Sequence, residues 1–191
     1  ETCQDWYDNL VGKQQVQLEL RKHNLKYGYA SYWNAGVNTV YSNMKVQVTP
    51  IFLEQIVENK WSLTDHNWLS NADWYRPDYF EGKTFLLLSS TVAVPGGKES
   101  EITMAQNSGA LTAFGEPVET FTIPQFHTVK ELKEMQKNGM LVGISPEDKK
   151  AVIPQQYYVC YVYDYNIARE FEESSHSGDK EKIYKLGFLA R

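Results

Sequence analysis

Along the first fifty residues the apolar positions change spacing twice. Trp6, Leu10, Val11, Leu18 and Leu20 form an imperfect stripe that predicts a helix over residues 4 to 24. Asn24 supplies its stop signal, just after the basic residues Arg21, Lys22 and His23, which suit a helix C-terminus. Tyr27 to Trp33 then reads as a strand. Asn34 is placed to cap a second helix through its side-chain oxygen, with Val37, Val40, Tyr41 and Met44 spaced three to four apart for an inner face. Ser42-Asn43 ends that helix, and Met44 to Pro50 alternates as a half-buried strand.

Beyond Pro50 the pattern loosens. A short helix is expected near Phe52 to Asn59, followed by a loop rich in Trp, Asn, Asp and Pro that runs to Gly82. Thr84 to Ser90 is a continuous apolar run of strand length, which fits a central strand covered on both faces. Pro95-Gly96-Gly97-Lys98 is a turn, Ser100 to Leu111 is weakly helical, and Val118 to Ile123 is extended after Gly115-Glu116-Pro117. Residues 128 to 138 form a short charged helix. Met140 to Ile144 and Ala151 to Ile153 are expected to pair as a hairpin, and Tyr157 to Tyr163 is the last strong strand. Asp164 to Ala168 turns into a final helix that ends in the polar run Ser174 to Gly178. Helices alternating with strands predict one α/β domain over residues 1–191. Its expected architecture is a mainly parallel mixed sheet with helices on both faces, Rossmann-like in its layering, plus an irregular aromatic-rich insertion.

Composition narrows the function classes. The 191 residues, 42% hydrophobic and 23% charged, suffice for a sizeable core without a metal or disulfide. A net charge of −5 and the scatter of Lys among acids give no basic stripe for nucleic acid. No run reaches the roughly 18 to 20 apolar residues of a transmembrane helix. The chain opens at Glu1-Thr2-Cys3 directly into a helix, as expected of a processed product or of a domain excised from something longer. Cys3 and Cys160 lack metal-ligand spacing and either pair in an oxidising compartment or stay as buried thiols. The four histidines His23, His66, His127 and His176 show no i,i+4 pairing, so no metal is implied.

Catalytic signatures are missing as well. Gly96-Gly97-Lys98 and Glu81-Gly82-Lys83-Thr84 lack the spacing of a phosphate loop, and no nucleophile elbow occurs, so no cofactor is implied. Ligands of open α/β sheets gather beyond the carboxyl ends of the strands, which directs attention to Asn34, Asp164 and Asn166. The same residues equally serve as helix caps. Trp33 joins them by position, and Trp74, Tyr75 and Arg76 belong to the densest mixture of aromatic and polar residues. That mixture either stacks on sugar rings, rests at a membrane interface, or packs as a closed loop.

Four segments carry a family resemblance. They are Tyr27-Gly28-Tyr29-Ala30 to Val46, Trp74-Tyr75-Arg76-Pro77-Asp78-Tyr79-Phe80 to Leu88, Phe114-Gly115-Glu116-Pro117, and Val162-Tyr163-Asp164-Tyr165-Asn166-Ile167-Ala168. In this order the chain resembles the C-terminal extracytoplasmic domains of bacterial multi-pass membrane glycosyltransferases of the GT-C architecture, which use polyprenyl-phosphate sugars. Gly36 and Met44 depart from the pattern, where Asn and Gly are expected, as does the helix at 128 to 138.

The resemblance implies a place on the outer face of the bacterial membrane, attached to a transmembrane part of the same polypeptide. It implies that the domain contributes either recognition of a cell-surface glycan or polymer acceptor or partner contacts. Catalytic carboxylates are expected in the membrane part, so no catalytic residue transfers to this chain. The ligand-binding candidates are Trp33, Asn34, Trp74, Tyr75, Arg76, Asp164 and Asn166. The alternatives are a non-catalytic protein-interaction module and a free-standing glycan hydrolase.

Overall fold

The computed structural model describes residues 3–57, 60–65, 70–92, 97–107 and 109–170, with the backbone alone at 3–11, 13, 52–57, 60–62, 64 and 65. His66, Trp68, Pro95-Gly96, His176, the run Ser174 to Gly178 and the body of the final helix lie outside the described residues, as do the side chains of Cys3, Trp6, Leu10, Val11 and Trp61.

Helix α1 (Cys3–Lys22) stops where Asn24 takes a left-handed φ of 55°, a conformation that Asn reaches more readily than most residues. Strand β1 (Tyr27–Ser31), helix α2 (Tyr32–Tyr41) and strand β2 (Gln47–Val57) form a crossover unit, with β1 and β2 parallel. There follow β3 (Lys60–Asp65), a 3-10 turn (Ala72–Tyr75), β4 (Thr84–Ser89), α3 (Glu101–Asn107) and α4 (Ala110–Ala113). The chain continues through β5 (Glu119–Pro124), α5 (Val129–Lys137) and β6 (Tyr157–Tyr163).

Among the described residues six strands make one sheet in the order β3-β2-β1-β4-β6-β5. At its centre β2, β1 and β4 run parallel, and each remaining pairing is antiparallel. This is the α/β fold that the sequence predicts, with its parallel part at the centre.

Alternation along the strands splits the core in two. Ala30, Val48, Phe85, Leu87, Cys160 and Val162 point to the face covered by α1 and α2, where Val16, Leu20 and Ala35 meet them. Tyr27, Tyr29, Leu86, Leu88 and Tyr163 point to the other, covered by α3, α4 and the 3-10 turn through Ile102, Ala105, Ala110 and Tyr75. Every residue of β4 is buried, as expected of a strand with both faces covered. Gly28 sits opposite Phe85 in register, and a Cβ there would lie 2.5 Å from the Phe85 ring. Cys160, in the middle of β6, is a fully buried free thiol whose pKa burial pushes well up.

Four expectations are corrected. The helix near Phe52 to Asn59 is a strand: β2 runs through to Val57 and pairs antiparallel with β3, as suits the β-branched and aromatic run Ile51-Phe52 and Ile56-Val57. Residues 140–144 and 151–153 form no hairpin, and left-handed Gly139 and Gly143 turn the chain there instead. Strand β1 ends at Ser31 rather than Trp33, so Asn34 falls inside α2 and Ser31 takes the N-cap position. Helix α2 also shows the opposite face: Ala35 and Asn38 are buried, while Val37, Val40 and Met44 are exposed.

Candidate functional site

Strands β1 and β4 are parallel neighbours whose following helices lie on opposite faces, α2 on one and α3 on the other. Such a divergence opens a crevice beyond the carboxyl ends of the two strands, where open α/β sheets bind ligands. Ser31 and Ser89 end those strands, and two short chains of hydrogen bonds, Tyr158–Asn34–Ser31 and Gln125–Ser89–Glu101, meet side by side there to form a polar ring.

The Ser89 backbone N–H donates to Oε2 of Glu101 at 2.8 Å. Ser31 lies near the same carboxyl and opposes the rise of its pKa. Nδ2 of Asn34 donates to Oγ of Ser31 at 2.8 Å, and the Tyr158 hydroxyl donates to Oδ1 of Asn34 at 2.6 Å. The Gln125 amide donates to Oγ of Ser89 at 3.1 Å and lies near the Tyr158 hydroxyl, whose pKa it draws down. Each neighbouring element thus contributes one group: β1, α2, β4, α3, the end of β5, and β6.

Burial sets the electrostatics of this ring. Glu101 is almost fully enclosed, and desolvation raises its carboxyl above the ordinary range against the opposing effect of Ser31 and Ser89. Desolvation likewise pushes the Tyr158 hydroxyl up to about 12, with the nearby Glu101 adding to the shift. The amides and hydroxyls around this carboxyl supply both donors and acceptors. Trp33, beside Asn34 on the first turn of α2, stands in solvent and stacks edge-on with Tyr32.

The other candidates gather at the opposite end of the sheet, in a packed knot. The Asn166 side chain is buried. Its Oδ1 accepts from the Tyr29 hydroxyl at 2.8 Å and from the Ala168 N–H at 3.1 Å, and its Nδ2 donates to the carbonyls of Pro77 and Phe80 at 3.2 and 3.3 Å. The Tyr27 hydroxyl donates to the Trp74 carbonyl at 2.6 Å, and the buried Tyr75 hydroxyl donates to the Pro50 carbonyl. Burial raises both Tyr27, to about 12, and Tyr29.

Arg76 and Asp164 are exposed. Arg76 grips Asp78 as a fork, Nε to Oδ1 at 3.0 Å and Nη2 to Oδ2 at 2.7 Å, which holds the Asp78 carboxyl below its usual range. The structure therefore brings Trp74, Tyr75, Arg76 and Asn166 together as the fastening of the aromatic loop. Trp33 and Asn34 lie apart from them, at the strand ends.

Sequence reasoning reached Asn34 but missed Ser31, Ser89, Glu101, Gln125 and Tyr158. Glu101 reads in sequence as an acid in the first turn of a helix, an ordinary surface position. Only the return of β5 and β6 to the end of β4 encloses it. Among the described residues, no group of three or more His, Cys, Asp or Glu is placed to hold a metal ion, and no helix is long and apolar enough to cross a membrane. No family model, curated protein or solved structure matches the chain.

Proposed function

We propose that this chain is the outer domain of a membrane-embedded, polyprenyl-phosphate-sugar-dependent glycosyltransferase that modifies a bacterial cell-surface polymer, and that it recognises the acceptor glycan. The ring at the switch point between β1 and β4 carries the reading. Its amides, hydroxyls and carboxyl match the alternating donors and acceptors of a sugar, and the exposed Trp33 beside it offers a face on which a sugar ring can stack. The chemistry of transfer belongs to the membrane part of the polypeptide.

Titration of the ¹⁵N-labelled chain with neutral oligosaccharides tests this. Saturable shifts at the Trp33 indole and the Asn34 amide are expected, with an affinity loss of roughly tenfold in Asn34→Ala, about 1.4 kcal/mol for one lost hydrogen bond. Shifts confined to Trp74 and Asn166, or no shifts at all, would sink the reading. The gene segment upstream of Glu1 is expected to encode several hydrophobic spans.

A protein-interaction module is the second reading, and it rests on a different observation. Trp33, Val37, Val40 and Met44 stand exposed on one side of α2 and the turn after it.

A further inference from the structure

The elements that build the ring are short of positive charge. Lys and Arg make up 19 of the 191 residues, yet none falls in β1, α2, β4, α3, β5 or β6. Two acids do fall there. Glu119, at the other end of β5 from Gln125, pairs with Nδ1 of His23 at 2.7 Å. Glu101 lies in the ring itself and enters none of the ion pairs among the described residues.

An enclosed carboxyl without a cation is a costly group to keep. The Ser89 N–H donates to its Oε2, but a carboxylate offers about four lone-pair sites, and a glutamine would accept the same N–H without burying a charge. Ser31 and Ser89 are what oppose the effect of burial on its pKa, and no cation joins them. Glu101 keeps 6% exposure. It opens α3 and meets Ser89, the last residue of β4, at the end where ligands of open α/β sheets arrive.

This inventory of charge sets the class of ligand. A phosphorylated or carboxylated sugar would bring a second negative group to a site with no cation to hold it, and like charges brought together out of water repel strongly. A neutral sugar would leave the carboxyl unpaired. A sugar with a free amino group supplies what is missing, because an ammonium carries three donors and charge-assisted hydrogen bonds are about twice as strong as neutral ones. We propose that the ring selects a glycan bearing a free amino group, and that Glu101 is the residue that reads its ammonium. The inference rests on the glycan reading and names the kind of sugar.

Calorimetric and ¹⁵N NMR titrations of the chain near neutral pH, with the trimers of glucosamine, N-acetylglucosamine and galacturonic acid, test it. The glucosamine trimer is expected to bind roughly tenfold more tightly than its acetylated counterpart, with saturable shifts at the Trp33 indole and the Asn34 amide. The galacturonic acid trimer should bind more weakly than both. Glu101→Gln should erase the preference for the amine. Glu116→Gln removes the same charge from an exposed turn at the opposite end of β5 and should keep the preference. The order of the three trimers on the wild-type chain decides the matter even where Glu101→Gln fails to fold.

Equal affinity for the amino and acetylated trimers, with shifts at Trp33 and Asn34, would overturn this proposal and leave the glycan reading standing. Silence toward all three would overturn both. A preference that survives Glu101→Gln, or disappears in Glu116→Gln, would trace the effect to the net charge of −5 and overturn the role of Glu101. A trilysine peptide that shifts Asn34 where the sugars do not would give the carboxyl to a protein partner's ammonium and overturn the amino sugar.

Discussion

Asn166 shows how a residue at the end of a strand can be committed to architecture. One side chain fastens the Tyr29 hydroxyl, the loop carbonyls of Pro77 and Phe80, and the Ala168 N–H. Asn166→Ala leaves several of these buried groups without partners, each costing about 1–3 kcal/mol when unsatisfied. Urea denaturation should show a loss of roughly 2–3 kcal/mol, whereas a change under about 0.5 kcal/mol, the range of an ordinary surface substitution, would mean that water replaces the knot at little cost.

Glu101 makes a prediction of opposite character, in pH. Its folded pKa lies above the ordinary value of 4.5, so the folded chain holds the proton more tightly than the unfolded chain. The stability it contributes is therefore complete below 4.5 and is lost as pH rises through the folded value. Glu101→Gln has no proton to lose. Urea midpoints measured from pH 4 to 8 should therefore show the variant gaining on the wild type as pH climbs, and parallel curves would contradict the burial argument.

Of the ring, only Asn34 was legible in the sequence. Ser31, Ser89, Gln125 and Tyr158 carry no local signature, because the ring exists only once β4, β5 and β6 converge.

Elements with strong local signals were read from the sequence alone. The apolar run of β4, the strand β6 and the charged helix α5 lie where spacing and composition place them. Helix α5 even carries its own start signal: Thr128 accepts from the Glu131 N–H while the Glu131 side chain accepts from the Thr128 N–H. Thr128→Ala should destabilise that helix by about 1 kcal/mol. Because α5 buries no residue, the loss should appear as faster hydrogen exchange within residues 129–137 and not as a lower global midpoint.

Where tertiary partners decide, the sequence misleads. Residues 52–57 read as helix until β3 lies alongside, and the stripe of α2 reads as core because spacing alone cannot say which face the sheet occupies. Gly28 is the converse case. It is unremarkable in sequence, yet the Phe85 ring packs directly over it, so Gly28→Ala should cost about 1–3 kcal/mol through overpacking between neighbouring central strands.

At the scale of the whole molecule, the sheet is held by pairings distant in sequence. Strand β6 enters between β4 and β5 and is flanked by both. Its centre carries Cys160, enclosed on the face covered by α1 and α2 and raised in pKa by that enclosure. A thiol reacts as its thiolate, and neither ionisation nor access is available while β6 stays paired.

Cys160 is therefore a chemical reporter of the sheet coming apart. Alkylation by iodoacetamide, followed at the Cys160 peptide by mass spectrometry, should proceed only through the open state and accelerate with urea along the slope of global unfolding. In an oxidising surrounding the same burial shields the thiol from exchange, so a chain that opens repeatedly would record its history as modified Cys160.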